Sequence, residues 1–205
     1  LYVLSHRPEK ARLDDDSAAV RGSLLVAAAV AELRITGFLS ERRQRTKTPT
    51  TPRDPFLATV LGDFPPDRPR TWFDVLERRW MQAEDTVRDQ LLAAGVITVE
   101  RRRMLGLIPT TRISVTDPRA AQELRSRVRA AVLRDPGPAP APIVEAVLAV
   151  LAVDGNVSTL FGWRELRARK PAVRALSARV DRELPGLRSA LSGSLALRRT
   201  PVASG

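Results

Sequence analysis

The sequence contains no cysteine and a single histidine, His6, among its 205 residues. The lack of cysteine excludes disulfides, thiolate metal sites and cysteine nucleophiles. One histidine is too few for a multi-histidine metal site and nearly excludes a histidine-based catalytic triad. We therefore interpret His6 as an ordinary surface residue, and we expect neither a metal nor another cofactor.

Long apolar runs are also missing. The longest, residues 22–33, is broken by Glu32 and is shorter than the roughly 20 apolar residues that a membrane-spanning helix needs. No targeting signal stands out, and the absence of cysteine suits a protein of the cytoplasm. We expect a cytoplasmic location.

Positive charge is the strongest signal in the composition. The net charge is +11 and the pI is near 11.4, while 43% hydrophobic and 28% charged residues are typical of a folded globular chain. Only three of the 34 basic residues are lysines, so arginine supplies most of the charge. With abundant alanine, valine and proline, this indicates a GC-rich, bacterial source and explains part of the excess. The remainder indicates an anionic partner: nucleic acid, anionic lipid or an acidic protein.

The hydrophobic pattern predicts a mainly α fold. Residues 18–34 and 143–153 are almost wholly apolar, which is typical of helices buried at the centre of a helical domain. Amphipathic helices, above all 72–94 and 118–133, would wrap these two core helices. Ser17, after three aspartates, is the expected N-cap of the first core helix.

One protruding β-hairpin is predicted over residues 96–108. Two short apolar runs, 96–99 and 105–108, flank Arg101–Arg103, which we place at the tip. We expect one domain over residues 1–205. Its predicted irregular parts are a mobile basic loop (40–55), a proline-rich linker (136–142) and a frayed tail (198–205).

Signatures of catalysis are sparse. The sequence has no G-x-G-x-x-G or Walker motif. The acidic run 14–16 is explained as a helix start, and Glu84-Asp85 suits the solvated face of the long helix. We expect a protein that is not an enzyme.

The order of long helix and basic hairpin is also similar to a winged helix–turn–helix, in which the basic wing contacts DNA phosphates. Two features argue against this alternative. Residues 72–94 are predicted to form one uninterrupted helix, and its acidic side chains would repel phosphate. A third alternative is a protein-interaction module that binds acidic partners through the same arginines.

Three co-linear stretches resemble one known family, that of Golgi phosphoprotein 3. Val20-Arg21-Gly22-Ser23-Leu24-Leu25, with the following apolar helix up to Gly37-Phe38-Leu39, is similar to the family's LRG-x-LLxELAL-x-G-x-L pattern. Residues 87–100, VRDQLLAAGVITVE, resemble its segment before the hairpin, and residues 125–133 resemble its basic helix ending in EAVL. The resemblance covers about residues 18–160 and identifies the chain as a bacterial member.

The resemblance implies a helical domain with a protruding hairpin and no enzymatic activity. It implies peripheral attachment to membranes through phosphatidylinositol 4-phosphate, with other anionic membrane lipids as related ligands. It also implies an adaptor that holds the cytoplasmic tails of cargo proteins, and a homo-oligomer formed through the hairpin.

The family's lipid-phosphate arginine corresponds to Arg21. Two further pocket arginines of the family fall on Met81 and Glu84, and the pocket tryptophan has no aromatic counterpart. Three other cations are candidates to replace the lost arginines: Arg78, Arg79 and Arg88. The residues expected at the membrane or self-association hairpin are Arg101, Arg102, Arg103, Met104, Leu105 and Leu107.

Overall fold

The computed structural model describes residues 1–40, 44–46, 51–66, 68–104, 108–134 and 140–199, without the side chains of 101–104 and 108–110. The helices are α1 Arg21–Ile35, α2 Pro55–Gly62, α3 Trp72–Ala93, α4 Pro118–Leu133, α5 Ile143–Asp154, α6 Trp163–Ala168, α7 Lys170–Glu183 and α8 Leu187–Arg199. The strands are β1 His6–Arg7, β2 Arg12–Leu13, β3 Ile97–Met104 and β4 Ile108–Val115. The prediction of a mainly helical fold is confirmed.

Helix α1 lies at the centre of the core. Eleven of its 15 residues are buried, and it packs against α2, α3, α5 and α8. Helix α5 is apolar on nearly every face and packs against α1, α4 and α7. These are the two predicted core helices. The amphipathic helices α3, α4, α7 and α8 surround them, as expected from their hydrophobic periodicity.

The first core helix begins at Arg21, three residues later than predicted. The Asp14 carboxylate is buried and accepts hydrogen bonds from the Ser17 N–H at 2.9 Å and the Ser17 Oγ at 2.8 Å. This local turn competes with helix formation, because a short acidic side chain satisfies the backbone amide that a helix would use. Ser17 is therefore not the N-cap; Val20 holds that position.

The β3–β4 hairpin is longer than predicted. Its antiparallel register runs from Ile97 opposite Val115 to Met104 opposite Ile108. The prediction of an arginine-bearing tip is wrong, because Arg101–Arg103 lie within β3, opposite residues 109–111. Ladder hydrogen bonds join backbone groups, so a charged run does not by itself end a strand. Residues 105–107, between the two strands, lie outside the described part of the chain.

A small N-terminal hairpin, β1–β2, was not predicted from the sequence. It pairs His6 with Leu13 and packs on β4, where the Ile113 N–H donates to the Ala11 carbonyl at 2.7 Å. The His6 Nε2 lies 2.7 Å from the Ile113 carbonyl, and because a carbonyl only accepts, Nε2–H is the donor. His6 is buried, so its interpretation as a surface residue is wrong. Strands of two residues carry too little periodicity to be recognised in a sequence.

Three helices, α6 to α8, occupy the last part of the chain, where two or three were expected. The tail predicted to fray from residue 198 is still helical at Arg198 and Arg199. Residues 200–205 lie outside the described residues, as do 41–43 and 47–50 of the predicted loop and 135–139 of the predicted linker. Among the helices described, none combines the length and apolarity needed to cross a membrane.

Candidate functional site

Arg21 is the first residue of α1, and its side chain is only 4% exposed. Its Nη1 donates a 2.9 Å hydrogen bond to Glu84 Oε1 on α3, and its Nη2 donates to the Asp14 carbonyl. The Asp14 carboxylate lies 3.8 Å from Nη2. The buried Nε–H has no partner among the described residues. The structure therefore holds a buried guanidinium between two carboxylates at the start of the central helix.

A close approach between α1 and α3 produces this geometry. Gly22 packs directly on the backbone of Trp80, and a β-carbon at Gly22 would lie 2.0 Å from the Trp80 carbonyl oxygen. Glu84 lies one helical turn after Trp80, so its carboxylate comes within reach of Arg21. The Arg-Gly pair thus supplies both the buried cation and the glycine whose lack of a side chain lets α3 approach α1 closely.

Glu84 lies at the edge of the solvated face of α3 that the sequence suggested, where its carboxylate pairs with Arg21. It stays accessible, however, with a side chain 35% exposed. The Glu84 carboxylate thus forms the solvent-facing side of the Arg21 site.

Tyr2 is a further residue of this site that the sequence did not reveal. It is buried, and burial, followed by the negative charge of Glu84, raises the pKa of its phenol to about 12. The charges of Arg88 and Arg21 act on the phenol in the opposite direction. An aromatic ring therefore lies near the site, supplied by the N-terminal segment. A lone tyrosine far from the Arg-Gly motif gave no sequence signal for this placement.

The other predicted arginines fall into two groups. Arg88 shares the Tyr2 environment with Arg21, and it donates to Asp85 at 2.6 Å and to Asp89. Arg79 forms a two-pronged contact with Asp63, and this hydrogen bonding raises the Arg79 pKa. Arg78 is 54% exposed and lies 3.9 Å from Asp63. The structure thus pairs Arg88 with Asp85 and Asp89, and Arg78 and Arg79 with Asp63.

The predicted hairpin residues stay a prediction. The side chains of Arg101, Arg102, Arg103 and Met104 lie outside the description, as do Leu105 and Leu107 entirely. Helix α3, in contrast, is fully described and runs through 22 residues up to the hairpin. It is a single helix where a winged domain has a helix–turn–helix pair.

A second feature missed in the sequence is the exposed indole of Trp163, the first residue of α6. The guanidinium of Arg167 lies over its ring in a cation–π contact, with Cζ 5.3 Å from the ring centroid. The sequence signal was a tryptophan within the basic run WRELRARK, spaced four residues from an arginine.

An apolar central helix, a buried Arg-Gly pair at its start and a β-hairpin following a long second helix define a helical domain of the Golgi phosphoprotein type. The family model of Golgi phosphoprotein 3 (GPP34) matches residues 1–193, and the chain belongs to this family. Among curated proteins, none matches the chain. The family resemblance read from the sequence is therefore confirmed.

Proposed function

We propose that the protein is a non-enzymatic adaptor that lies peripherally on membranes and binds anionic lipid headgroups at the Arg21 site. Phosphatidylinositol 4-phosphate, the lipid implied by the family, is the headgroup proposed. We also propose that the protein binds the cytoplasmic tails of cargo proteins. Two copies of the chain would associate through the β3–β4 hairpin. One observation carries the lipid proposal: a buried arginine whose accessible counterion, Glu84, belongs to the protein itself.

The Glu84 carboxylate occupies the position that a bound phosphate would take. If Glu84 turns outward, the buried Arg21 guanidinium loses its directly hydrogen-bonded carboxylate and keeps only Asp14 at 3.8 Å, so a second anion at Nη1 is favoured. A phosphate monoester carries more charge than a carboxylate and offers three acceptor oxygens. It can therefore replace the Glu84 carboxylate at Nη1 of Arg21 and keep further oxygens for other donors.

The position of Arg21 in α1 supports the same ligand class. The N-terminus of a helix favours anions, because its first amides lack partners within the helix and the helix dipole is positive there. Val20, the N-cap of α1, provides no side-chain cap. A phosphate at Arg21 would thus meet both a guanidinium and uncapped amides.

Vesicle flotation at physiological salt tests this function. The three samples are neutral vesicles, vesicles with a generic anionic lipid, and vesicles with phosphatidylinositol 4-phosphate at matched charge. We expect selective flotation with the phosphoinositide. Equal binding to all anionic vesicles would contradict a headgroup site and indicate adsorption by surface arginines.

The variants Glu84→Gln and Arg21→Lys sharpen the test. Glu84→Gln removes the internal competitor, so affinity for the phosphoinositide should rise roughly ten- to a hundredfold, the range of one charged hydrogen bond. A gain in affinity cannot result from loss of folding. Arg21→Lys should abolish the selectivity. Glu123→Gln, which removes an exposed carboxylate on α4, is the matched control and should change little.

A further inference from the structure

The most exposed aromatic side chain in the described residues is Trp163, at 69%. The other two tryptophans are less exposed: Trp72 is buried and Trp80 is half-buried. The Trp72 Nε1–H donates a hydrogen bond to the Pro185 carbonyl at 3.0 Å. The Arg198 guanidinium lies over the Trp80 ring, with its Cζ 3.9 Å from the ring centroid. An indole ring left in water forgoes a large hydrophobic gain, so its entry into an apolar phase would be favourable.

Exposed cations lie near this indole in the sequence, and one of them, Arg167, contacts its ring. We define the Trp163 patch as the exposed side chains of α6 and the start of α7: Trp163, Arg164, Arg167, Lys170 and Arg174. None of its four cations has a carboxylate partner among the described residues. Residues 163–180 contain a single acidic residue, Glu165.

Glu165 does not neutralise the patch. Its carboxylate accepts a 2.6 Å hydrogen bond from Arg129 Nη2 on α4 and a 2.9 Å bond from the Gly162 N–H. The hydrogen bond from Arg129 is the main cause that lowers the Glu165 pKa below its ordinary value. The Glu165 charge is thus already matched by Arg129, and the positive charge of the patch is uncompensated.

Two ligands fit an exposed indole among cations: an anionic bilayer and a nucleic acid. Tryptophan settles at the headgroup level of bilayers, and neighbouring Lys and Arg side chains bind anionic lipid. Nucleic-acid bases instead stack on an open ring face. The guanidinium of Arg167 lies over the face of the Trp163 ring. One of the two ring faces is thus already occupied by a cation, which favours entry into a lipid interface over stacking on a base.

We propose that the Trp163 patch docks on the surface of an anionic bilayer, with the indole inserted at headgroup level. The proposal rests on the proposed function, because it names the surface with which the adaptor lies on the membrane. It concerns a different place in the fold: α6 packs against α7, whereas Arg21 contacts α3. Headgroup recognition and interfacial insertion are then tasks of two separate sites.

Tryptophan fluorescence of the full chain reports the insertion directly. Vesicles containing 30% phosphatidylserine are prepared with and without brominated acyl chains, which quench indoles at the interface. The wild-type protein should shift its emission to shorter wavelength and be quenched by the brominated vesicles. Trp163→Phe should lose both signals, because Trp72 and Trp80 remain in the fold.

Affinities for the same vesicles provide a second readout. Trp163→Ala should weaken binding about tenfold, as expected for a large side chain that enters an apolar phase. Arg164→Gln with Arg167→Gln should weaken it about fivefold per charge removed. Two matched controls should bind as the wild type does: Leu197→Ala, an exposed apolar residue on α8, and Arg53→Gln with Arg68→Gln, two exposed cations outside the patch.

The outcomes separate this inference from the proposed function. Flotation of the wild type without quenching of Trp163, and with unchanged binding of Trp163→Ala, overturns the patch but leaves the Arg21 site standing. Failure of the wild type to float on any anionic vesicle overturns both proposals. A fluorescence change at Trp163 with a single-stranded oligonucleotide, and none with vesicles, overturns the membrane assignment in favour of nucleic acid.

Discussion

Gly22 of α1 and Trp80 of α3 touch through their backbones. A β-carbon on Gly22 would lie 2.0 Å from the Trp80 carbonyl oxygen and 2.9 Å from the carbonyl carbon. The atoms in the way belong to the middle of a 22-residue helix, so they cannot move aside independently. This contact sets the distance between the two helices and thereby places Glu84 beside Arg21.

Gly22→Ala should therefore destabilise the protein strongly. The added methyl group forces α1 and α3 apart, and we expect a loss of about 3 kcal/mol or more in the free energy of unfolding, the upper range for overpacked cores. Urea denaturation followed by circular dichroism measures it. Gly62→Ala is the matched control, because a β-carbon there meets nothing within 4 Å. That variant should be neutral or slightly more stable, and a similar loss in both variants would contradict the close contact.

The single tyrosine gives a spectroscopic test of the Arg21 site. Burial, with Glu84 as the next cause, raises the Tyr2 pKa to about 12 from 10.0. A raised pKa stabilises the fold below the unfolded value and loses this effect as the pH rises towards the folded value. We therefore expect an alkaline loss of stability between pH 10 and 12, and Tyr2→Phe should lack this part of the loss.

Absorbance of the tyrosinate near 295 nm measures the same pKa in the folded protein. In Glu84→Gln the apparent pKa should fall, because a negative charge that disfavours the phenolate is gone. Glu123→Gln, which neutralises an exposed acid on α4, should leave it unchanged. An unaltered titration in Glu84→Gln would show that Glu84 does not face Tyr2.

The helices were predictable because their signals are local. Thr71 caps α3, Asp117 caps α4 with Pro118 as its first residue, and Gly95 follows α3 with a φ of +68°, and all of these are residue types typical of helix ends. The start of α1 was not predictable, because it depends on the buried Asp14 side chain. Helix periodicity tells which faces are apolar, but a single capping side chain decides where the helix starts.

The candidate site was predictable only in its central residue. Arg21 follows from the Arg-Gly motif, whereas its partner Glu84 is 63 positions away. Nothing in the local sequence of α3 distinguishes Glu84 from the exposed Asp85 next to it. Only the packing of α1 on α3 decides which carboxylate faces the arginine. Tyr2 enters the same environment from the other end of the fold, which no motif encodes.

His6 links the N-terminal hairpin to β4. Its Nε2–H donates to the Ile113 carbonyl, and the Ile113 N–H donates to the Ala11 carbonyl, both at 2.7 Å. His6→Ala should cost about 1–3 kcal/mol, because it leaves a buried carbonyl without this donor. Hydrogen exchange at the Ile113 amide should accelerate as the hairpin detaches. Lys10→Ala, an exposed change in the same hairpin, should alter neither stability nor exchange; equal effects in both variants would show that His6 has no linking role.

Glu77 on α3 and Arg198 on α8 hold the last helix on the core. Arg198 Nη1 and Nη2 donate to the two Glu77 carboxylate oxygens at 3.0 and 2.9 Å, with the Arg198 side chain only 7% exposed. Burial alone would raise the Glu77 pKa, but the hydrogen bonds from Arg198 and Ser194 outweigh it and lower the pKa below 4.5. A lowered pKa stabilises the fold above the unfolded value, and the effect is lost as the pH falls through the folded value.

Glu77→Gln should therefore cost about 1–3 kcal/mol at pH 7, since it removes the counterion of a buried arginine. The difference from the wild type should shrink below pH 4.5, because protonation then removes the same charge from the wild-type protein. Urea denaturation at pH 7, 5 and 3 measures this convergence. Glu123→Gln, whose carboxylate is exposed, should match the wild type at every pH. A cost of Glu77→Gln that stays constant from pH 7 to 3 would assign the role of Glu77 to packing, and the ion pair to Arg198 would then contribute nothing to stability.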